Sequence, residues 1–278
     1  MSKVLVSDSR GQRRFLARFM LYLGALSIAL WITLPLLNAV VASFNTSSQG
    51  SILAHYAKVF DRTSTNGFGK LLIPALGNST FVSLAVVAIN IILGAMTGYG
   101  LSRHVTKTTK AFYGATLVFR VVPALAVVTP FFALFKQVGL INTPTALIIT
   151  YLSFTIPLAL MVLKNYYDQL PVEIEHAAAI DGASRWATFT RVTLPLAAPG
   201  LGATAILVFM EAWSEFFYAL VLTNKLTITP SLSSFQSAQN FDWHVLAAAT
   251  LISMIPPLVL ATLFQRSIVG SLAVGYDR

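Results

Sequence analysis

Six long runs with almost no charge limit what this chain can fold into more than any other feature. Phe19 to Ala42 holds no charged residue in 24 positions. A second run lies within Leu71 to Ser102, opening near Gly77, and a third, Ala111 to Phe135, is broken only by Arg120. The fourth lies within Gln137 to Leu163. The fifth runs from near Pro199 to about Leu222 with Glu211 and Glu215 inside it, and the sixth is Val245 to Gln265. About 20 helical residues cross the hydrocarbon of a bilayer, and each run can supply them. Few of the runs alternate with period two, which argues against a barrel. A helix satisfies its own backbone hydrogen bonds, as hydrocarbon demands. The expectation is an all-α integral membrane protein with six transmembrane helices.

Composition supports the same class. Only 10% of the 278 residues are charged, against about 25% in soluble domains. With 56% hydrophobic residues and a mean hydropathy of +0.73, one soluble core could not take up the apolar surface. A soluble enzyme, a disordered scaffold and a fibrous protein are therefore poor fits. The chain has no cysteine, so disulfides, thiolate metal sites and cysteine nucleophiles are excluded. Its four histidines stand apart at 55, 104, 176 and 244, so no metal site is expected. No catalytic group is expected either. The first run is too long for a signal peptide and lacks a clear small-residue cleavage site, so it reads as a retained span.

Lys and Arg in the loops set the expected orientation. Lys3, Arg10, Arg13, Arg14, Arg18, Arg103, Lys107, Lys110, Lys164, Arg185, Arg191, Arg266 and Arg278 fall on the side shared by the two termini. Lys58, Arg62, Lys70, Lys136 and Lys225 fall on the other. Both termini should be cytoplasmic. The net charge of +9 then reflects basic residues held inside, with membrane lipid and not nucleic acid as the surroundings. The expected organisation is a cytoplasmic segment 1–18, a spanning region 19–265 with a cytoplasmic loop 164–198, and a cytoplasmic tail 266–278. The loop Ser43 to Leu76 should face outward.

The cytoplasmic loop is the most informative stretch. Pro171 suits the first turn of a helix, and Glu173 and Glu175 favour the positive end of its dipole. Ala177, Ala178 and Ala179 are strong helix formers. Asp181-Gly182 is a stop signal, and Ser184 can cap a second short helix from Arg185 to about Val192. Pro195 and Pro199 then redirect the chain into the fifth span. Such a compact helix–Gly–helix fits a docking element, and it equally fits an interfacial helix lying on the membrane.

The string His176-Ala177-Ala178, three residues, Gly182, nine residues, Val192-Thr193-Leu194-Pro195 resembles the EAA loop of binding-protein-dependent ABC importer permeases. That loop reads Glu-Ala-Ala, three residues, Gly, nine residues, Ile-x-Leu-Pro, and both spacings fit. His176 replaces the motif's Glu and Val192 its Ile. Other segments resemble the family in order: His55 to Phe60, Asn78-Ser79-Thr80, Tyr99-Gly100-Leu101-Ser102-Arg103, Ala212-Trp213-Ser214-Glu215-Phe216 and Phe264-Gln265-Arg266. The chain is most similar to the maltose-type second permeases of carbohydrate importers.

The resemblance implies a type I importer permease fold in a bacterial or archaeal cytoplasmic membrane. It implies a second permease as partner, two ATPase subunits that hold ATP and Mg, and an extracytoplasmic substrate-binding protein. The cargo would be a di- or oligosaccharide. The loop would couple to the ATPase through Glu175, His176, Ala177, Ala178, Asp181, Gly182, Arg185, Leu194 and Pro195. The chain lacks a Gly-x-x-x-x-Gly-Lys-Ser/Thr phosphate loop; Gly67-Phe68-Gly69-Lys70 fails that spacing. No cofactor is expected on this chain, and it should not be an enzyme.

Glu211 and Glu215, at i and i+4, should share one face of the fifth span. Intramembrane carboxylates usually face the bundle interior. With Trp213 and Tyr218 nearby they are candidates to line a sugar pathway, to sit near the outer interface, or to hold the partner permease. Arg120 is a pathway charge, the buried partner of such a Glu, or, where the span opens later at Val121, a residue outside the membrane core. Asn90 is a candidate for lining and for helix–helix contact. Gly94 and Gly98 form a Gly-x-x-x-Gly packing signal. Asn45-Thr46-Ser47 matches a glycosylation pattern without meaning in a bacterium. The alternatives are another polar cargo such as a glycerol phosphodiester, an ion-coupled secondary transporter, which would need a repeat and paired broken helices, or a non-transporting scaffold.

Overall fold

The computed structural model describes residues 8–45, 53–62, 68–225, 227–236 and 242–273, with side chains from 14 to 265. Lys3, Arg278, the side chains of Arg10, Arg13 and Arg266, most of the Asn45-Thr46-Ser47 pattern and Gly67 lie outside the described residues. Every regular element among the described residues is helical. Four helices are long and apolar enough to cross a membrane, or up to six if each of two bent pairs counts as one span. The chain forms two compact units.

The smaller unit comprises the chain up to Val59 together with Asp242 to Leu251. It holds α1 (Asp8–Phe44), α2 (Ala54–Phe60) and the opening of the last helix, α13 (Trp243–Ala273). Asp242 starts that helix: its Oδ1 accepts from the backbone N–H of His244 (3.1 Å) and Val245 (3.3 Å). Lys58 Nζ lies 3.3 Å from its other oxygen. Burial alone would raise this carboxyl, but the two N–H donors and Lys58 hold it below the usual aspartate value. His244 meets the Ala42 carbonyl at 2.8 Å and stacks on His55 with ring centres 5.1 Å apart. Two of the four scattered histidines thus come together, while no group of three metal-binding side chains forms among the described residues.

The larger unit contains α3 (Phe68–Arg103), α4 (Lys107–Phe119), α5 (Ala124–Gln137) and α6 (Pro144–Gln169). It continues with α7 (Val172–Ile180), α8 (Arg185–Thr188), a π-helical turn (Phe189–Thr193) and α9 (Leu194–Leu196). Last come α10 (Ala198–Ser214), α11 (Phe217–Leu222) and α12 (Ile228–Gln236), with α13 from Ile252 onward. The core is α3 against α6, with α10 packed on both. Small residues allow this approach. A Cβ added at Gly98 would sit 3.1 Å from the Leu163 Cβ, and one at Gly94 would sit 3.0 Å from a Leu163 methyl. The Gly-x-x-x-Gly pair is therefore a helix–helix contact. Val82, Val86, Tyr151, Ala159 and Val208 fill the layer.

Several sequence expectations need correction. The helix that holds the second run opens at Phe68, before Gly77, and at 36 residues is longer than a bilayer requires. The helix of the fourth run extends to Gln169, so Lys164 and Asp168 are helical, 2.6 Å apart across one turn, and the non-helical link begins at Leu170. The helix stops there because Pro171 follows: Leu170 takes ψ 129°, the extended backbone that a residue before proline favours. Pro171 is the N-cap of α7, not its first turn. The third run is not one helix. It breaks between Phe119 and Ala124, and α4 and α5 meet at 95°. Val122 precedes Pro123, which bars helical backbone at that point. The fifth span also breaks, as its chemistry below explains.

Candidate functional site

The α7–α8 turn is built as the sequence suggests. Gly182 takes φ +83°, the left-handed backbone that glycine adopts without strain. Asp181, Gly182 and Ala183 donate back to the carbonyls of Ala177, Ala179 and Ala178. The Ser184 hydroxyl accepts from the Ala187 N–H at 3.2 Å and starts α8. The second helix does not end at Val192. It runs on through the π turn to Leu196, then bends 70° into α10. His176, Ala177, Asp181, Gly182, Arg185 and Pro195 are exposed, and Ala178 and Leu194 half-buried. Open space surrounds Gly182, so its small size is not needed for packing within this chain. Between them stand Ile180, 87% exposed, and Trp186, 61% exposed. Sequence reasoning passed over these two, though large apolar side chains flanking a polar turn are a signal of contact with a partner.

Glu175 has a different environment. Its carboxylate is 13% exposed and accepts from Arg103 Nε at 2.9 Å and from the Tyr99 hydroxyl at 2.9 Å. Arg103 also donates to the Tyr167 carbonyl (3.0 Å), the Leu170 carbonyl (3.3 Å) and the Ser102 hydroxyl (3.1 Å). Ser102 in turn donates to Asp168 at 2.6 Å. The Tyr-Gly-Leu-Ser-Arg string thus locks α7 to the ends of α3 and α6. Glu175, which the resemblance makes a candidate for polar contacts in the coupling loop, is engaged by Arg103 and Tyr99 inside the chain. A groove of about 670 Å³ lies beside this network, lined by Tyr99, Arg103, His176, Arg185, Trp186 and Phe189 among others.

A second polar site forms at the two helix breaks. Arg120, in the elbow between α4 and α5, sits 2.6 Å from Glu211 on α10 and 3.4 Å from the Phe154 carbonyl on α6. Both charged side chains are about one-third exposed, 33% each. Phe154 stacks on Tyr218, with centroids 5.8 Å apart, and Phe131 meets Tyr218 edge-on. Glu211 and Glu215 do not share a helix face. Helix α10 ends at Ser214, and Glu215 is extended at φ −66°, ψ 135°. Its carboxylate accepts the backbone N–H groups of Tyr218 (3.0 Å) and Ala219 (3.2 Å). It satisfies two orphan donors that open α11, which apolar surroundings would otherwise leave unpaired. Thr229 donates to the Glu215 carbonyl. Trp213 is buried against Phe209, with rings 5.3 Å apart. Asn90 is fully buried and donates to Thr155 (2.9 Å) and to the Val86 carbonyl (2.9 Å). Of the six candidates, the structure brings Arg120 and Glu211 into contact, with Tyr218 beside them through Phe154. Glu215 is taken up in capping α11 at the Tyr218 and Ala219 N–H groups, and Trp213 and Asn90 are engaged elsewhere.

The family described as "Binding-protein-dependent transport system inner membrane component" matches residues 90–273, well over half of the chain. The chain belongs to that family. The permease is 33% identical to the trehalose/maltose transport system permease protein MalG of Thermococcus litoralis, over 94% of this chain and 96% of the relative. It is 36% identical to the trehalose transport system permease protein SugB of Mycobacterium tuberculosis, over 74% and 77%. In fold it is similar to a chain of a bacterial ABC transporter that imports the acidic polysaccharide alginate. The TM-score is 0.72 at 20% identity, covering 94% of this chain and 99% of that one. It is a multi-pass membrane permease and not an enzyme; ATP hydrolysis belongs to a separate subunit. Membership in this family removes the ion-coupled and scaffold alternatives.

Proposed function

We propose that the permease forms half of the translocation pathway of a di- or oligosaccharide importer. Its partners are a second permease, two ATPase subunits carrying ATP and Mg, and an extracytoplasmic binding protein. The setting is the cytoplasmic membrane of a bacterium or archaeon, with both termini and the α7–α8 loop cytoplasmic, as the Lys and Arg distribution suggests. The segments 1–18 and 266–278 are the cytoplasmic ends around the spanning region. The observation that carries this reading is the loop. One face of the α7–Gly182–α8 turn is fixed to the spans, and the other offers His176, Ala177, Asp181, Gly182 and Arg185 beside exposed Ile180 and Trp186. Closure of an ATPase dimer on that face would bias the permease between two arrangements, which requires only that the ATPase bind them differently.

Sugar cargo is supported by the relatives' names, trehalose and maltose, and by the site at the helix breaks. A ring face suits Tyr218 and Phe154, and hydroxyl edges suit Arg120 and Glu211. A glycerol phosphodiester would fit Arg120 less well, because Glu211 already neutralises it. The test is purification of the tagged chain in detergent from its own cell, with partners identified by mass spectrometry. An ATPase and a second permease should co-purify, and Gly182→Trp should lose the ATPase. Recovery of the chain alone, where other membrane complexes stay intact, would overturn the reading.

A further inference from the structure

One guanidinium holds three helix ends together. Arg103 closes α3, donates to the Glu175 carboxylate of α7, and donates to the carbonyls of Tyr167 and Leu170 at the end of α6. Both belong to the last turn of α6, where a helix runs out of its own donors; the Tyr167 carbonyl also takes the Leu170 N–H at 3.2 Å. The Arg103 and Glu175 side chains are 11% and 13% exposed. Tyr99 takes the second oxygen of Glu175, and the Arg103 carbon lies 5.9 Å from the Tyr99 ring centre. Ser102 and Lys164 fix Asp168 at 2.6 Å each. The covalent link from α6 to α7 is only Leu170 and Pro171, both with extended ψ. Such a link is a hinge: by itself it would let α7 swing and absorb a push applied to its exposed face.

We propose that Arg103, with Glu175 and Tyr99, is the joint that removes this hinge, so that α7 moves as one body with the adjoining ends of α3 and α6. Displacement of the exposed face then reaches α3 and α6, the packed pair at the core of the unit. Arg103 is a positioning residue: it touches no cargo and acts through Glu175. The arrangement calls for arginine in particular. Its planar fork serves several acceptors in fixed directions, whereas a lysine ammonium is a single point charge. The proposal rests on the reading of the loop as the ATPase dock, and its test separates the two.

The complex is purified and reconstituted with its binding protein, and co-purified ATPase, ATP hydrolysis and cargo transported per ATP are measured. Arg103→Lys should keep the ATPase bound and hydrolysing, while transport per ATP falls roughly tenfold, the scale of a coupling carried through a packed network. Tyr99→Phe, which deletes one hydroxyl, should show a smaller fall and decides the matter if Arg103→Lys does not assemble. The chain has no cysteine, so in Arg103→Cys with Glu175→Cys the introduced pair carries the only thiols of this subunit, and the Arg103→Cys variant treated in the same way controls for thiols of the partners. The double variant should be uncoupled when reduced and recover transport when bridged by a short bis-methanethiosulfonate, which reacts with both thiols and releases methanesulfinate; a purely local loss of stability would not be rescued in this way. Unchanged transport per ATP in Arg103→Lys or Tyr99→Phe, or no recovery on bridging, overturns the joint and leaves the dock standing. Absence of ATPase from the unaltered complex overturns the dock itself.

Discussion

Glu215 and Glu211 show how one residue type takes two roles four positions apart. Glu211 keeps its helix and pairs with Arg120, whereas Glu215 ends the helix by capturing the first N–H groups of α11. The Arg120–Glu211 pair is one-third exposed, so its direct contribution is modest, about 0.2–1 kcal/mol. Glu211→Gln and Arg120→Gln should each lower the melting temperature of the purified complex, with the double variant less affected than the two losses added together. If the pair also lines the pathway, Glu211→Gln should reduce neutral sugar uptake while ATP hydrolysis persists. At Gly182 the demand is conformational, since nothing crowds it and φ is +83°. Gly182→Ala should therefore cost about 1–2 kcal/mol, and Gly182→Asn less, because asparagine tolerates that backbone. Thermal unfolding of the two variants side by side checks this order.

Among the elements, α3 and α6 depend on close approach. Gly98→Val would drive a branched side chain into Leu163 and the Lys164 backbone, and overpacking of this kind costs about 1–3 kcal/mol. A lowered melting temperature for Gly98→Val beside a near-normal Gly100→Val, where nothing lies within 4 Å, is the expected outcome. The start of α13 makes a pH prediction. The Asp242 carboxyl is held below its usual value in the folded chain. Its stabilisation is therefore complete above the unfolded value, near 4, and is lost as pH falls through the lower folded value. Asp242→Ala should cost about 1 kcal/mol at neutral pH, as loss of a helix cap does, and the difference from the parent should vanish in acid. Melting curves of both proteins across acidic and neutral pH measure it.

At the scale of the molecule, α1 buries none of its most apolar window. Trp31 is 77% exposed and Ile32 63%. A helix with so apolar a surface needs lipid or protein around it. The chain expressed with its second permease should resist proteolysis for longer than the chain expressed alone, as pulse-chase labelling in membranes would show. Equal lifetimes would remove the partner as the cover for α1.

The helical membrane class, the position of most apolar runs and the helix–Gly–helix loop are all legible along the chain. Each of these is written in local terms: an apolar run, a capping serine, a glycine where the backbone turns left-handed. The Tyr-Gly-Leu-Ser-Arg string was visible as a pattern, but its purpose was not, because Glu175 lies more than 70 positions from Arg103 and Tyr99. The breaks in the third and fifth spans were equally hidden. Arg120 finds Glu211 across 91 positions, and the cap that Glu215 gives α11 exists only because that carboxylate leaves the face of α10. Hydropathy sums over neighbours in sequence. Which acceptor a buried guanidinium meets, and which donors a buried carboxylate satisfies, is settled by what folding brings within 3 Å, and only the tertiary structure decided that.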